Sequence, residues 1–391
     1  MLNFSFTFPS NVIFGAGVFQ SLGEEVAKFG KTALLVEQAG PLEPGFARGV
    51  ALMEAAGVKV TELSGVESNP RLSKVEEGIK IVKEQNIEVV VAIGGGSTID
   101  TAKAISVGAA DEEDGDVWDF FADTRNIKKV LPVVAVSTIS ATGAETSCHC
   151  VVTNNRSEDH TQWKKWAIHN TIVCPKTAFI DPELLVSVPN RLTAAGMADT
   201  ISHIIEGYFD GVGGNPISDA IGEGIVRTVL DNDGVLQDLG NIDMRSQIAW
   251  ASTLAMGGIQ DCGRLNAGWP AHWIQHAVGA LTDSSHGEGL AVINPAWLDF
   301  VNEKNPEKFV RFADKVLEIE RPGGISDVAY GQMGLDELRA RFKKWGLPST
   351  LKELGVTKDM FPTLIQNIMN NNESFQFTEK QIEQVLERCY E

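Results

Sequence analysis

Short apolar runs alternate with amphipathic stretches through the first half of the chain. The apolar runs cover residues 32–36, 58–62, 89–93 and 132–137, and their length and composition predict strands. Helical spacing of the apolar residues marks 45–56, 72–85 and 98–110. Strands that alternate with helices in this way predict an α/β domain with a parallel sheet and right-handed crossovers.

The hydrophobic pattern changes beyond residue 184. Helical periodicity covers 196–209, 218–229, 244–256 and 270–281, and a further series runs from 305 to the end. Strand signals almost disappear over the same part of the chain. We therefore predict two domains, an α/β domain over residues 1–184 and an all-helical domain over residues 185–391.

Composition narrows the classes of partner. The formal net charge of −19 excludes a nucleic-acid partner, which needs basic surface, and disfavours anionic membranes. No run of about 18 apolar residues predicts a membrane span, and the N-terminus lacks the pattern of a signal peptide. The five cysteines show no framework spacing, which is typical of free thiols in a reducing compartment. We expect a cytoplasmic protein.

A glycine run, Gly94-Gly-Gly-Ser97, follows the most apolar strand and opens a helix. Glycines there let the backbone approach a phosphate, and a helix N-terminus offers free N–H groups, although a tight strand–helix turn explains the run equally well. Ser97 and Asp100 fit the spacing of a capping box. A second loop of small residues, 138–145, follows the next strand, and ligands bind at such strand ends in open α/β sheets.

Four of the seven histidines lie in two segments of the second half, His203 in one and His272, His276 and His286 in the other. Asp199 and His203 share one face of an apolar and therefore buried helix, where they either bind an ion or hydrogen-bond each other. His286 lies about 15 Å beyond His276 along a continuous helix, but residues 282–285 and Gly287 favour a turn back. Three imidazoles and one carboxylate suit Fe(II) or Zn(II).

These motifs together resemble the iron-containing (group III) alcohol dehydrogenases, and among them the butanol dehydrogenase-like members. The matching segments are Phe14-Gly-Ala-Gly17, Asn69-Pro70, Gly94-Gly-Gly-Ser-Thr-Ile-Asp-Thr-Ala-Lys103, Thr138 to Glu145, Ile180-Asp-Pro182, Ala198-Asp-Thr-Ile-Ser-His203, and His272-x-x-x-His276 with His286-Gly287. They span nearly the whole chain. The resemblance implies an NAD(P)-binding α/β domain, a helical metal-binding domain, reversible hydride transfer between small alcohols and aldehydes, and a homodimer.

The resemblance also assigns residues. As metal ligands it implies Asp199, His203, His272 and His286. His276 is expected beside the active site, outside the set of ligands, as a catalytic proton-relay group. The implied cofactor-binding residues are Asn69, Gly94, Gly95, Gly96, Ser97, Asp100, Thr138, Thr142 and Lys165. Among these, Asp100 is expected near the nicotinamide and is a second candidate catalytic residue, whereas Lys164 leaves the register of Lys165 open.

The chain departs from the family pattern just after its predicted strand at 32–36. NADP-preferring members carry Gly-Gly-Gly-Ser there, whereas this chain has Glu37-Gln-Ala-Gly40. A carboxylate at that strand end accepts hydrogen bonds from a ribose and repels a 2′-phosphate. Glu37 therefore favours NAD over NADP, unless it is simply a solvated loop residue.

Two rival functions remain at this stage. One is a lyase resembling dehydroquinate synthase, which recycles NAD and must hold an anionic substrate with several basic residues. Beyond Arg191, residues 192–290 offer only Arg227, Arg245 and Arg264 and no lysine, which disfavours it. The other is a metal hydrolase without a dinucleotide. The sequence does not identify the alcohol or choose between iron and zinc.

Overall fold

A computed structural model describes residues 1–38, 45–113, 115–265, 268–370 and 377–391. The chain divides into two compact units. The α/β unit consists of Phe8–Val188 together with Gly240–Ala249, and the helical unit consists of Met1–Thr7, Pro189–Leu239 and Trp250–Glu391.

The α/β unit is built on a parallel sheet that has six strands in the described part of the chain. The strands are β1 (Asn11–Phe14), β2 (Thr32–Gln38), β3 (Lys59–Val66), β4 (Val89–Gly94), β5 (Val133–Ser137) and, later in the chain, β8 (Thr177–Ile180), in the order β1-β8-β5-β4-β2-β3. The helices are α1 (Leu22–Val26), α2 (Gly45–Ala55), α3 (Leu72–Gln85), α4 (Gly96–Ala110) and α5 (Trp118–Phe121). The predicted α/β fold class and parallel sheet are confirmed.

The central strand β4 explains why its sequence is apolar throughout. Every residue of β4 is buried, because helices cover both faces of the sheet. Val90 and Ala92 pack on one face with Ile99 of α4, whereas Val91 and Ile93 pack on the other face with Phe19. This double burial holds the glycine run at the carboxyl end of β4 in a rigid position.

An antiparallel hairpin that the sequence analysis did not predict follows β5. Its strands are β6 (His149–Asn154) and β7 (Lys164–His169). Their alternation of buried and half-exposed residues is weak, and two lysines open β7, which obscured the strand signal. The hairpin packs against α4, and Val151 donates its backbone N–H to the Asp100 carboxylate at 3.0 Å.

The helical unit has the texture that the sequence predicts. Its helices are α6 (Asn190–Asp210), α7 (Pro216–Asp231), α8 (Ile242–Ala255), α9 (Pro270–Thr282), α10 (His286–Lys304), α11 (Glu307–Lys315), α12 (Asp327–Lys344), α13 (Phe361–Met369) and α14 (Glu379–Arg388). Three differences from the prediction are small. The strand β9 (Val212–Gly213) pairs with β10 (Arg264–Leu265), the first half of α8 groups with the α/β unit, and Met1–Thr7, predicted in the α/β domain, groups with the helical unit. Over the described residues, no helix is both long and apolar enough to cross a membrane.

Candidate metal centre and glycine loop

The helix α6 supplies two of the predicted metal ligands. Asp199 and His203 are 1% and 3% exposed, because the rest of α6 is apolar on almost every side. The Asp199 Oδ1 and His203 Nε2 atoms are 3.6 Å apart, which is too long for a hydrogen bond. The alternative in which this pair merely satisfies itself is therefore not what the fold shows.

A tight turn between α9 and α10 brings the other histidines to α6. Asp283 ends α9 in the left-handed conformation with φ 56°, and α10 begins three residues later at His286. The sequence predicts that Gly287 stops a helix, and this prediction is wrong. Gly287 lies in the first turn of α10. A Cβ on Gly287 would lie 2.1 Å from the Ala195 carbonyl oxygen, so only glycine lets α10 approach α6 this closely.

Asp199, His203, His272 and His286 converge in the helical unit. One ligand atom from each lies within 4.8 Å of those of the other three. The His286 Nε2 atom is 3.7 Å from Asp199 Oδ1, and the rings of His203 and His272 stack with centroids 5.0 Å apart. A carboxylate and three imidazoles at this spacing fit one divalent ion of the Fe(II) or Zn(II) type.

The electrostatics of His203 match that fit. Burial, and secondarily the neighbouring His272, hold the pKa of His203 well below its usual range. The imidazole is therefore neutral at physiological pH, which is the form that binds metals. Its Nδ1 atom is buried and has no hydrogen-bond partner within the described ranges. Burying a polar atom without a hydrogen-bond partner costs free energy.

Two residues that the sequence did not predict contact the Nδ1 atoms of His272 and His286. Glu206 on α6 is fully buried, accepts the Ala271 backbone N–H at 2.6 Å and contacts Nδ1 of His272. Gln275 on α9 is also fully buried, and its Oε1 contacts Nδ1 of His286. The sequence carries a usable signal for Glu206, since it lies one helical turn beyond His203 on an otherwise apolar helix.

Glu206 is a strongly perturbed carboxyl group. Burial raises the pKa of Glu206 to about 8, against the lowering effect of the N–H groups of Ala271 and His272. A cation bound to the neighbouring His272 would favour the ionised form of Glu206 instead, because its positive charge dominates the local field. The carboxylate form is thus the one that matches a metal-loaded centre.

His276 lies beside this set without joining it. It is 8% exposed, and its ring centroid is 5.5 Å from that of His286. Trp273 packs edge-on against the His276 ring at 5.1 Å, which fixes the plane of the imidazole. The position is that of a group next to the candidate metal centre rather than of a fifth ligand.

The two predicted loops of the α/β unit are in contact. Thr138 donates its backbone N–H to the Gly94 carbonyl at 3.1 Å. A Cβ on Gly96 would lie 2.4 Å from Thr142 Oγ1, and one on Gly95 would lie 2.8 Å from an Ile139 methyl carbon. The glycines are therefore required for loop packing, and they leave the N–H groups of the first turn of α4 at the end of the sheet.

The predicted capping box is wrong. The helix α4 begins at Gly96 with Gly95 as its N-cap, and no side chain of the described residues caps it. Ser97 lies inside the first turn, and its carbonyl accepts the Thr101 hydroxyl at 2.8 Å. The Asp100 carboxylate accepts the Val151 N–H instead of capping α4. Burial raises the pKa of Asp100, against the lowering effect of the Lys103 ammonium.

Lys165 and Asn69 meet in the α/β unit. The Lys165 Nζ atom donates to Asn69 Oδ1 at 2.8 Å, and both side chains are buried. Lys164 is exposed and lies over the Trp166 ring. Of the two lysines that the sequence left open, Lys165 is the one that points inward.

Glu37 is the second-to-last residue of β2. Its backbone pairs with Ile93 of β4, next to the glycine run. Burial, and secondarily the neighbouring Glu62, raise the pKa of Glu37. Ala39 and Gly40, which complete the segment that departs from the family pattern, lie outside the described residues.

Comparisons with known proteins agree with these features. The family described as iron-containing alcohol dehydrogenase matches residues 9–182, and its C-terminal domain family matches residues 193–390. NADH-dependent butanol dehydrogenase A of Clostridium acetobutylicum is 34% identical over 95% of this chain and 94% of its own length. A probable NADH-dependent butanol dehydrogenase of Bacillus subtilis is 35% identical over 99% of this chain and 98% of its own.

A solved structure gives the same answer for the fold. NADH-dependent butanol dehydrogenase A from Thermotoga maritima superposes with a TM-score of 0.93 at 33% identity, over 100% of this chain and 99% of that one. The chain therefore belongs to the iron-containing alcohol dehydrogenase family, whose members interconvert alcohols and aldehydes with NAD(P) and a divalent metal ion.

Proposed function

We propose that this protein reversibly oxidises small primary alcohols such as butan-1-ol to aldehydes, with NAD as the preferred cofactor. The observation that carries the proposal is the convergence of one carboxylate and three imidazoles in the helical unit. The names of the relatives, NADH-dependent butanol dehydrogenases, support the choice of substrate and cofactor.

In this proposal Asp199, His203, His272 and His286 hold one Fe(II) or Zn(II) ion. The ion, when bound, supplies Lewis-acid polarisation of the substrate oxygen. His276 is the group that we assign to moving the hydroxyl proton, because its imidazole lies next to His286 and outside the four-donor set.

The dinucleotide belongs to the α/β unit in this proposal. Gly94, Gly95, Gly96 and Ser97 cradle the pyrophosphate at the N-terminus of α4, and Thr138 and Thr142 contact the nicotinamide half. The close packing of the two loops and the position of the first turn of α4, directly after the carboxyl end of β4, support this assignment. Asp100, Asn69 and Lys165 complete the set as an electrostatically linked group, since burial raises the pKa of Asp100 and the Lys165 ammonium acts against that rise.

Glu37 is our candidate for the choice of NAD over NADP, with NADP as the weaker cofactor. Its place near the carboxyl end of β2, paired with the residue that precedes the glycine run, supports contact with the adenosine ribose. A carboxylate there accepts hydrogen bonds from the ribose hydroxyls and repels a 2′-phosphate.

The rival lyase is disfavoured by what its basic residues contact. Arg191 is bound to the buried Glu288, and Arg264 to Asp219 at 2.7 Å. Arg245 donates to the Val188 carbonyl at 3.1 Å. Guanidinium groups engaged in this way are poor partners for a polyanionic substrate. A metal hydrolase without a dinucleotide would give no role to the packed glycine loop or to the Lys165–Asn69 pair.

We also propose a cytoplasmic homodimer, with no nucleic-acid or membrane partner. The first residues present exposed apolar side chains: Met1, Leu2, Phe4 and Phe6 are 82%, 44%, 54% and 42% exposed. Leu2 donates its backbone N–H to the Gly263 carbonyl at 2.9 Å, so this segment is held in place on the helical unit. Exposed apolar surface of this kind marks interaction sites. Light scattering of the purified protein tests the dimer.

The experiment that separates the three functions is the stoichiometry of NADH formation. Purified protein loaded with Fe(II) or Zn(II) is mixed with NAD and butan-1-ol, and absorbance of the reduced nicotinamide is followed. We expect one NADH per aldehyde formed. A lyase produces no net NADH, and a hydrolase responds to neither butan-1-ol nor NAD. An absorbance that stays constant with folded, metal-loaded protein therefore overturns the proposal.

A further inference from the structure

The buried partners of His272 and His286 differ in charge. Behind His272 stands a carboxylate, Glu206, and behind His286 stands a neutral amide, Gln275. In both pairs the contact is made by Nδ1 of the imidazole. The Nε2 atoms are then the ones that remain for a metal ion, and in His286 this atom lies 3.7 Å from Asp199 Oδ1.

In its ionised form, the one that matches a metal-loaded centre, the Glu206 carboxylate can only accept in this arrangement. One of its oxygens accepts the Ala271 backbone N–H, a group that never acts as an acceptor. The other oxygen faces Nδ1 of His272, so this nitrogen carries the proton and Nε2 keeps its lone pair. A buried carboxylate also increases the basicity of the imidazole that it contacts.

Gln275 has little freedom to turn away from His286. Its side chain is fully buried, and a Cβ on Gly289 would lie 2.7 Å from Gln275 Cγ. Because Gly289, in the first turn of α10, has no side chain, the Gln275 amide fits against it. A neutral amide oxygen orients an imidazole through the same Nδ1 bond, but it adds no negative charge.

We propose that Glu206 and Gln275 are positioning residues that fix the Nδ1-protonated tautomer of His272 and His286 and so preset both Nε2 atoms for the ion. Glu206 contributes more than Gln275, because it supplies charge as well as orientation. The inference rests on the proposed metal site. It adds that metal affinity is set in part by two residues that touch no metal.

The test compares Glu206→Gln with the wild type. The amide of the variant has one oxygen for two donors, so the bond to Ala271 is retained only if the NH2 group faces His272. That arrangement favours the wrong tautomer, with the proton on Nε2. We expect the Zn(II) dissociation constant of metal-stripped protein, measured by competition with a chromophoric chelator, to rise about 10- to 100-fold.

Two further variants serve as controls. Glu223→Gln removes another buried carboxylate of the helical unit, one that bonds Tyr208 and Arg311, and it should leave the Zn(II) dissociation constant unchanged. Gln275→Glu keeps an acceptor at Nδ1 of His286 and adds charge, and it should bind Zn(II) at least as tightly as the wild type. Circular dichroism of each stripped protein confirms that the variant is folded.

The second readout is the tautomer itself. Nitrogen NMR of histidine-labelled, metal-stripped protein, recorded above the Glu206 pKa of about 8 so that the carboxylate is ionised, should show His272 protonated on Nδ1 in the wild type and on Nε2 in a folded Glu206→Gln variant. A wild-type Zn(II) dissociation constant in that variant, or an unchanged tautomer, overturns the inference while leaving the proposed function intact. Wild-type protein that binds neither Zn(II) nor Fe(II) overturns both.

Discussion

At the scale of single residues, Asp261 is a carboxyl group that the fold shields from water. It lies between α8 and α9, and burial raises its pKa to about 6, against the lowering effect of Arg264. Its Oδ1 atom is buried without a hydrogen-bond partner in the parts of the chain that the structure covers. The folded state therefore holds a proton on Asp261 at pH values where the unfolded chain has lost it.

This shift has a definite sign for stability. The folded pKa of Asp261 lies above its ordinary value of 3.8, so the stability that this group contributes is fully present below about pH 4 and is lost as the pH rises through 6. Asp261→Asn should remove that loss and stabilise the protein at pH 8 by up to ~3 kcal/mol. Denaturant unfolding of both proteins at pH 5 and pH 8 measures it. A difference that shrinks with rising pH would contradict the assignment.

Glu37 gives a prediction about cofactor choice. Glu37→Gly should narrow or reverse the preference for NAD, because it removes the charge that repels a 2′-phosphate. The expected change in the ratio of kcat/KM values is roughly ten- to a hundredfold, or on the order of 1–3 kcal/mol. Glu37→Gln, which keeps an acceptor, should give a smaller change. If the ratio stays constant in both variants, Glu37 is a solvated side chain.

His276 gives a prediction that separates catalysis from metal binding. His276→Ala should lower kcat by about 10²- to 10⁴-fold, the usual contribution of a proton-transfer group, and leave the ion bound. His272→Ala, four residues away on the same helix, should lose the ion. Metal analysis of the two purified variants decides between these roles. Equal loss of metal would mean that the wrong histidine of the pair is counted as a ligand.

At the scale of elements, the contact between α6 and α10 positions the metal centre. Gly287→Ala places a methyl group against the Ala195 carbonyl, and relief of that clash requires α10 to shift. We expect a loss of at least 1–3 kcal/mol in stability, together with weaker metal binding. Thermal unfolding and Zn(II) titration of the stripped protein measure the two effects.

Gly224→Ala is the matched control for that substitution. Gly224 lies inside α7, and among the residues that the structure describes no neighbouring atom falls within 4 Å of the Cβ that alanine would add. The variant should gain up to about 1 kcal/mol from helix propensity and bind Zn(II) normally. If Gly287→Ala behaves like Gly224→Ala, the close approach of α10 to α6 is not what builds the site.

The elements also show which parts of the fold are readable from sequence. Buried strands such as β4 and amphipathic helices such as α3 follow from periodicity alone, because one physical pattern determines each. The edge strand β1 and the hairpin strand β7 are short and half exposed, so their patterns are weak. The sequence predicts a helix stop at Gly287, because glycine is typical of turns. In the structure, packing of α10 against α6 requires a glycine at this position inside a helix.

Only the metal-donor residues of the candidate site were predictable from the sequence. Spacing pointed to Asp199 and His203 on one helix and to His272, His276 and His286 as further candidates, since metal-binding residues are rare types at recognisable intervals. The choice of His272 and His286 over His276 came from the family resemblance. Glu206 and Gln275 escaped notice because their roles depend on contacts between helices that lie far apart in sequence. The capping box failed for a related reason, as the hairpin competes with the helix end for the Asp100 carboxylate.

At the scale of the whole molecule, the two kinds of chemistry belong to different units. The glycine run, Glu37 and the Lys165–Asn69 pair belong to the α/β unit, whereas all four candidate metal donors belong to the helical unit. Metal binding should therefore stabilise the helical unit by mass action without any dinucleotide present. The strongly acidic chain must draw its affinity for a dinucleotide from local backbone N–H groups rather than from overall charge.

The most direct test of the central claim is metal reconstitution. Metal-stripped wild-type protein and its His286→Ala variant are assayed for NADH oxidation with butanal before and after stepwise addition of Fe(II) or Zn(II). We predict that the stripped wild type is inactive, that activity returns and saturates at one ion per chain, and that His286→Ala neither retains the ion nor regains activity. Stripped protein that turns over butanal at the full rate, or His286→Ala at full occupancy, would contradict the account.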